Sequence, residues 1–178
     1  MLKTLIYALA LSCAGLVPAV HGEVVEALPT GFEVKQQATI AAPPEKVWAA
    51  LGQIGQWWDS QHSWSGDATN LSLDLKPGGC LCEKLPNGGG AWHLTVVFVA
   101  PPKTVRLEGA LGPLVFTGGS GHLIWTLAPK DGGTVVTQTY DFGGYMKGGL
   151  DKIAGPVDGV LGEQLGRLKA FVETGKPA

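Results

Sequence analysis

The chain has 178 residues and a formal net charge of −2, from 13 Lys and Arg against 15 Asp and Glu. This length is enough for one domain with a sizeable core. The charges are scattered, and Arg106 and Arg167 are the only arginines. Because phosphate contacts need clustered cations, this composition argues against nucleic-acid binding and against a polybasic membrane-surface patch.

Residues 1–22 have the features of a secretory signal peptide: a lysine near the start, a short apolar run, and small residues after a proline. We expect cleavage after Ala19 or Gly22 and export, to the periplasm if the source is a bacterium. The alternatives are a membrane anchor, which the short, proline-ended run disfavours, and a lipoprotein attached through Cys13. The mature chain is then expected to have no stable membrane span.

The rest of the chain is predicted to form one domain. A leader without a clear pattern precedes it, and a short tail follows it. The predicted divisions are 1–22 for the signal peptide, 23–32 for the leader, 33–174 for the domain and 175–178 for the tail.

The domain opens with a strand and a helix that begins at prolines. Residues Phe32–Ile40 end in the alternating pattern of a strand. Pro43 and Pro44 stop that strand and suit a helix start, since a first-turn residue needs no N–H and proline presets φ. An apolar stripe at helical spacing predicts a helix over Pro44–Leu51 and a short second helix or turn over Ile54–Trp58.

Most of the chain between residue 71 and the terminal helix is predicted to be strand. Before it, residues 59–70 are polar and indicate an ordered loop, in which Trp64 could act as a lid over a ligand. Short turns between the later segments favour antiparallel pairing, for about seven strands in all. The further predicted strands are Leu71–Leu75, Cys80–Leu85, Ala91–Ala100, Thr104–Ala110, His122–Ala128 and Thr134–Phe142.

A long helix is predicted at the end of the domain. Pro156 suits its first turn, and an apolar stripe continues to about Thr174. Gly159, Gly162 and Gly166 lower its intrinsic helicity. These glycines could serve close packing on the sheet, or they could leave room for a ligand, and the sequence favours neither explanation.

Several motifs in this order resemble the START-like, or SRPBCC, superfamily. The run Ile-Ala-Ala-Pro-Pro-Glu-Lys-Val-Trp-Ala-Ala-Leu at 40–51 is similar to its opening, and Lys-Pro-Gly-Gly at 76–79 is similar to its Pro-Gly-Gly turn. A Pro-Pro turn at 101–102 and Gly-Gly-Thr at 132–134 agree with it. The polyketide cyclase/dehydrase-like and chaperone-ATPase-activator-like branches are the most similar. The resemblance implies an α+β helix-grip fold, in which an antiparallel sheet wraps around the long terminal helix.

The two cysteines of the predicted domain lie two residues apart. Cys80 and Cys82 therefore face the same side of a strand, near the upper limit of Cα separation for a disulfide. We favour two small half-buried thiols, and the alternative is a disulfide, within the chain or between chains, in an oxidising compartment. A zinc site would need two more ligands at suitable spacing, which the sequence does not supply, so we expect no metal.

Strand alternation and the register that the resemblance implies predict which side chains enclose a space between sheet and helix. That space would be mostly apolar with a few polar groups, as is typical of a small-molecule site. The inward sets are predicted to be Leu123, Trp125 and Leu127 in one strand, Val136, Gln138, Tyr140 and Phe142 in the next, and His93, Thr95, Val97 and Val99 in the long strand. A slip of one residue would reverse each set. The predicted ligand-binding residues are Trp57, Trp58, Glu83, His93, Thr95, Val97, Trp125, Gln138, Tyr140, Phe142, Leu161 and Leu165.

Common catalytic motifs are absent from the sequence. It contains no Gly-x-Ser-x-Gly, no His-Glu-x-x-His and no P-loop, and no cofactor is expected. Glu83 and His93, on neighbouring predicted strands, could form an acid–base pair. The preferred hypothesis is an exported protein that binds a lipophilic small molecule without catalysis. The alternatives are a cyclase- or dehydratase-like enzyme that uses Glu83 and His93, and a protein-interaction module; the oligomeric state is not predicted.

Overall fold

A computed structural model describes residues 20–178 of the chain. Most of the predicted signal peptide, including Cys13, therefore lies outside the described residues. Within them, eight strands form one antiparallel sheet in the order β1-β2-β8-β7-β6-β5-β4-β3. The strands are β1 His21–Leu28, β2 Gly31–Ile40, β3 Leu71–Leu73, β4 Cys80–Lys84, β5 Gly90–Ala100, β6 Thr104–Gly109, β7 Gly118–Lys130 and β8 Gly133–Tyr145.

Two α-helices accompany the sheet. The first, α1 (Pro44–Leu51), has the predicted bounds and is followed by a short 3-10 turn at Ile54–Gln56. The second, α2 (Ala154–Thr174), begins two residues before the predicted start and ends at Gly175, whose φ of 80° suits glycine. The α+β helix-grip fold predicted from the resemblance is confirmed, with eight strands rather than about seven. No helix among residues 20–178 is long and apolar enough to cross a membrane.

The core fills the space between one face of the sheet and α2. The inward residues of β7 and β8 are those that alternation predicted, and they are buried. From the helix side, Leu161, Leu165, Leu168 and Val172 are buried against them. The predicted cavity-facing sets Leu123, Trp125, Leu127 and Val136, Gln138, Tyr140, Phe142 therefore all lie on the helix-facing side.

β1 is a strand that the sequence did not reveal. Its first two residues fall in the predicted signal peptide and the rest in the stretch assigned to a patternless leader; it pairs antiparallel with β2, from His21 opposite Gln37 to Leu28 opposite Gly31. Every residue of β1 is exposed. Because the strand lies at the sheet edge with neither face buried, its sequence carries no period-two hydrophobic pattern.

The prediction that Thr95 and Val97 face the cavity is wrong. Residues 92 and 94 pair with consecutive residues of β4, so His93 is an extra residue that forms a β-bulge. The bulge places His93 and Leu94 both inward, and it reverses the alternation that follows. Thr95 is consequently half-buried on the outer side and Val97 is 43% exposed.

A second bulge restores the original alternation further along β5. Val96 pairs with Leu107 and Phe98 pairs with Arg106, which leaves Val97 as an extra residue. Val99 accordingly packs against the core, as alternation had predicted. Two insertions of one residue thus bracket the segment whose predicted orientation is reversed.

Cys80 and Cys82 form a disulfide, with a Cα–Cα distance of 5.3 Å. Our preference for two free thiols was therefore wrong. The register of β4 shifts between Leu81 and Cys82, at the same bulge that contains His93. Because an undistorted strand separates such Cα atoms by about 6.5 Å, the irregularity brings the two cysteines within easier disulfide reach.

Two glycine-rich segments that lie outside the predicted strands extend β7 and β8. Residues 118–121 pair with residues 142–145 as continuous strand. A Cβ atom at Gly119 would lie 2.6 Å from the carbonyl oxygen of Gly143, so these backbones approach as only glycine allows. The long hairpin carries the chain to Met146 and on to the start of α2.

Candidate functional site

A cavity of about 480 Å³ lies at one end of the space between the sheet and α2. Its walls come from the sheet, the N-terminal half of α2, and three connecting segments around residues 58–64, 111–117 and 146–153. Apolar side chains dominate the wall, as in small-molecule sites. The lining residues are Ile54, Trp58, Gln61, His62, Ser63, Trp64, Leu71, Leu81, His93, Leu111, Gly112, Pro113, Leu114, Thr117, Tyr140, Met146, Ile153, Pro156, Val157, Val160 and Leu161.

Two aromatic side chains meet across the connecting segments at the cavity. Trp64, from the polar loop after α1, packs edge-on against Phe116, with ring centroids 5.7 Å apart. Trp64 is 44% exposed and Phe116 is 82% exposed. Trp64 also lines the cavity. The predicted position of Trp64 at a cavity mouth agrees with this arrangement.

Glu83 and His93 form a buried pair at the wall. The Nε2 atom of His93 lies 3.1 Å from Oε2 of Glu83, and both side chains are almost entirely buried. His93 lines the cavity, whereas Glu83 lies behind it. Alternation along the first residues of β5 turns the imidazole inward, beside the carboxylate of the neighbouring strand β4.

Glu83 also fixes the loop that carries Trp64. Its Oε2 accepts a hydrogen bond from the backbone N–H of Trp64 at 3.1 Å, and its Oε1 accepts one from the N–H of Ser65 at 2.5 Å. Burial by itself raises the pKa of the Glu83 carboxyl, but the hydrogen bonds from Ser65, Trp64 and His93 outweigh it and leave the pKa below its usual value. Glu83 is therefore a buried carboxylate with both oxygens engaged.

Tyr140 is the second polar group at the buried end of the cavity. Its hydroxyl accepts a hydrogen bond from the backbone N–H of Leu111 at 3.2 Å. Burial raises the pKa of this phenol, which stays protonated at neutral pH. The next backbone N–H, that of Ala110, donates to the carbonyl of His93 at 3.0 Å. The 110–111 corner thus connects His93 and Tyr140.

Of the predicted ligand-binding residues, the structure places Trp58, His93, Tyr140 and Leu161 at the cavity wall. The remainder, apart from Glu83 and the two outward residues of β5, are core residues outside the lining. Trp57 is buried with its Nε1 donating to the carbonyl of Ala50 at 2.8 Å. The other core residues are Trp125, Gln138, Phe142 and Leu165.

Trp125 and Gln138 belong to a buried hydrogen-bond chain under α2. Trp125 Nε1 donates to Gln138 Oε1 at 2.6 Å, and Gln138 Nε2 donates to Gln36 Oε1 at 2.9 Å and to the carbonyl of Leu161 at 3.0 Å. Gln36 in turn donates to Asp158 at 2.6 Å. These side chains use their polar groups to fix α2 on the sheet, which explains why they do not face a ligand.

Sequence reasoning missed the cavity residues of two connecting segments. Leu111–Leu114 and Met146–Ile153 carry no periodic pattern, and they meet only because the long β7–β8 hairpin brings them together. The α2 glycines do not line the cavity: Gly159 has open space around it, and Gly162 and Gly166 make ordinary contacts with Gln36 and with Val20. The proposal that they leave room for a ligand does not apply in this arrangement.

Fold and cavity together define a helix-grip domain with a largely apolar internal site. A family model described as polyketide cyclase / dehydrase and lipid transport matches residues 31–173. The chain belongs to this family, and its sequence resemblance to the superfamily is thereby confirmed. None of the curated proteins matches the sequence significantly.

Solved structures with low sequence identity share the fold. A conserved protein of unknown function from Enterococcus faecalis is 16% identical, with a TM-score of 0.60 over 85% of this chain and 77% of that one. CalU16 from Micromonospora echinospora is 14% identical, with a TM-score of 0.53 over 86% of this chain and 87% of that one. The Aha1 dimer from Colwellia psychrerythraea is 21% identical, with a TM-score of 0.54 over 81% of this chain and 98% of that one.

Proposed function

We propose that this protein binds a lipophilic small molecule in the cavity between its sheet and α2. The observation that carries the proposal is the cavity of about 480 Å³ with a mainly aliphatic and aromatic wall. The family to which the chain belongs includes lipid transport in its description, which supports the same function. Binding would be driven by transfer of apolar ligand surface out of water.

The expected affinity follows from the apolar area that a ligand would bury. About 300 Å² of buried apolar ligand surface is worth roughly 7 kcal/mol before association costs. Losses of rotational and translational freedom reduce that figure. Because a dissociation constant of 1 μM corresponds to about 8 kcal/mol, micromolar affinity needs a larger buried apolar area or hydrogen bonds to polar groups of the ligand as well.

Export of the protein is part of the proposal. The signal-like residues 1–22 support it, and a disulfide between Cys80 and Cys82 suits an oxidising compartment. Of the two expected cleavage points, Ala19 agrees better with the fold. Cleavage after Gly22 would remove the first residues of β1, including Gly22, which packs against Asp158.

A substitution that fills the cavity tests the binding site. Val160 lines the cavity from α2, so Val160→Phe places a ring inside it. We expect this variant to bind 1-aminoanthracene, an uncharged fluorescent probe, at least tenfold more weakly than wild type. Gly159→Phe is the matched control, because it adds the same ring at the neighbouring position, which faces open space. Equal binding by wild type and Val160→Phe would contradict the proposed site.

Extraction of natural ligand gives an independent measurement. The mature protein, beginning at Val20, would be purified from its native compartment and examined by native mass spectrometry. A discrete added mass that is lost on denaturation supports ligand carriage and identifies the ligand class. A clean apo mass, together with no thermal shift against a panel of lipids and polyketides, would argue against it.

A second candidate function is acid–base catalysis in the same cavity. The pair of His93 and Glu83 favours it, because the Nε2–Oε2 contact of 3.1 Å orients the imidazole, and in the neutral ring Nδ1 is then the nitrogen that can accept a proton. His93 would be the base, and Glu83 would position it. His93→Asn should then abolish turnover of a polyketide-like substrate while binding of 1-aminoanthracene persists. If only affinity changes, the binding function stands alone.

A further inference from the structure

The cavity wall contains polar groups but no permanently charged side chain. Among its lining residues, all within the described part of the chain, there is no Asp, Glu, Lys or Arg. The titratable residues of the wall are His62, His93 and Tyr140. His62 already faces a carboxylate, because its Nε2 lies 3.5 Å from Oε2 of Glu163. A ligand inside the cavity therefore meets no dedicated counter-ion.

The nearest buried charge to the cavity is negative. Glu83 sits directly behind His93 and is held ionised by its hydrogen bonds. A ligand carboxylate or phosphate at this wall would be desolvated next to a carboxylate of the same sign. Burial of an unpaired charge is among the costliest steps in binding, which makes such ligands unfavourable.

The N-terminal turn of α2 also borders the cavity, and its dipole would favour an anion. Two features of that turn oppose this effect. Pro156 has no N–H to offer, and Asp158 lies in the following turn, where it accepts a hydrogen bond from Gln36 at 2.6 Å. Lys147 and Lys152 flank this segment, but both are exposed and do not line the cavity, so water screens them.

The two polar groups at the buried end instead match a hydroxyl group. The Tyr140 hydroxyl accepts from Leu111, and its own proton has no acceptor among the described residues, so it can donate to a ligand oxygen. His93 directs Nε2 at the Glu83 carboxylate, which can only accept, so Nε2 carries a proton; in the neutral imidazole Nδ1 is then an acceptor. An alcohol accepts from the first group and donates to the second.

We infer that the cavity selects an uncharged lipophile that carries a hydroxyl group, in preference to fatty-acid-like anions or cationic amphiphiles. This inference rests on the proposed function, since it names the class of ligand for the same cavity. It assigns Tyr140 as a hydrogen-bond donor to the ligand and His93 as an acceptor. Selection against ions follows from the absence of a counter-ion in the wall.

The test compares three ligands with the same chain and different charge. Displacement of 1-aminoanthracene from the mature protein at pH 8 would be measured with 1-dodecanol below its solubility limit, and with dodecanoate and dodecylammonium below their critical micelle concentrations. We expect 1-dodecanol to bind at least tenfold more tightly than either ion. A smaller difference, or tighter binding of either ion, overturns the inference while leaving the proposed function intact. If neither the probe nor any of the three ligands binds, the proposed function and the inference both fail.

Two variants test the stated cause of the selectivity. Thr117 lines the cavity, so Thr117→Lys introduces a counter-ion, and Thr117→Met is its uncharged control. The lysine variant should narrow the preference for 1-dodecanol over dodecanoate by about tenfold, and the methionine variant should retain it. An unchanged preference in the lysine variant overturns the counter-ion argument.

Tyr140→Phe tests the hydroxyl recognition. This variant should bind 1-dodecanol severalfold more weakly than wild type does. Its affinity for 1-chlorododecane, which has no hydroxyl, should change little. Equal weakening of both ligands would indicate a packing role and overturn the assignment of Tyr140 as a donor. The binding of 1-chlorododecane also shows directly whether the variant has kept its folded cavity.

Discussion

Glu83 shows how one buried carboxylate can organise a site without facing its ligand. Its two oxygens accept hydrogen bonds from Trp64 and Ser65 and engage the imidazole of His93. Buried charges persist in proteins when such partners satisfy them. Glu83 therefore links the aromatic loop at the cavity to the polar residue of the wall. Sequence reasoning paired Glu83 with His93, but the loop contacts were not predictable, because Trp64 and Glu83 are 19 residues apart.

The Glu83→Gln substitution tests this organising role. At pH 7 we expect a loss of about 1–3 kcal/mol in unfolding free energy, because the amide group meets donors that the carboxylate had satisfied. Folding lowers the pKa of Glu83, so its ionised form stabilises the protein above the unfolded value of 4.5. That stabilisation is lost as the pH falls through the folded pKa.

Urea unfolding at pH 7, 5 and 3.5 would measure this dependence. The difference in unfolding free energy between wild type and Glu83→Gln should be largest at pH 7 and should be smaller at pH 3.5. Glu108→Gln, at an exposed position, is the control and should leave stability nearly unchanged. A gap that stays constant over this pH range would contradict a role for the ionised carboxylate.

β5 is the element for which sequence reasoning both succeeded and failed. Its bounds were predicted to within one residue, since a run of apolar residues between a turn and a Pro-Pro pair indicates a strand. The predicted orientation of Thr95 and Val97 was wrong, because each bulge shifts the alternation of side chains by one residue. Nothing local to the sequence marks these bulges. They arise from pairing with β4 and with β6, which is tertiary information.

The disulfide within strand β4 is expected to contribute little to stability. Cys80 and Cys82 are only two residues apart, so the bond closes a very short loop. Loop-closure entropy then predicts a stabilisation of about 1.5 kcal/mol, much less than for a long loop. The double variant Cys80→Ser, Cys82→Ser should show this loss in urea unfolding.

Dithiothreitol provides the control for the disulfide. It should lower the stability of wild type to that of the double variant, and it should not affect the variant itself. A loss greater than about 3 kcal/mol would show that the bond does more than close a loop, for example by maintaining the bulge at His93.

At the scale of the whole molecule, β1 is the edge strand that covers β2. It pairs with β2 along its length, although every one of its residues is exposed. Its contribution is therefore mainly to satisfy the backbone groups of β2, while the buried core is supplied by residues from 31 onward. An uncovered β2 would present a row of unpaired N–H and C=O groups, which favours pairing between molecules.

Deletion of residues 20–28 tests the role of β1. We expect the shortened chain to fold, because it keeps the core and the cavity, and to self-associate through the exposed edge of β2. Size-exclusion chromatography with light scattering would measure the molar mass across a concentration series. A shortened protein that stays monomeric at high concentration would contradict this role for the strand.

The sequence by itself determined the fold class, the bounds of α1 and the inward residues of β7 and β8. The fold class came from the resemblance to the superfamily, whereas the helix bounds and the strand facing depend on local rules: prolines that start a helix, apolar residues at helical spacing, and strict alternation in strands buried on one face. Only the tertiary structure decided β1, the facing of β5, the disulfide and most of the cavity wall. An exposed edge strand has no hydrophobic pattern, bulges depend on partner strands, and the cavity forms where segments far apart in sequence meet.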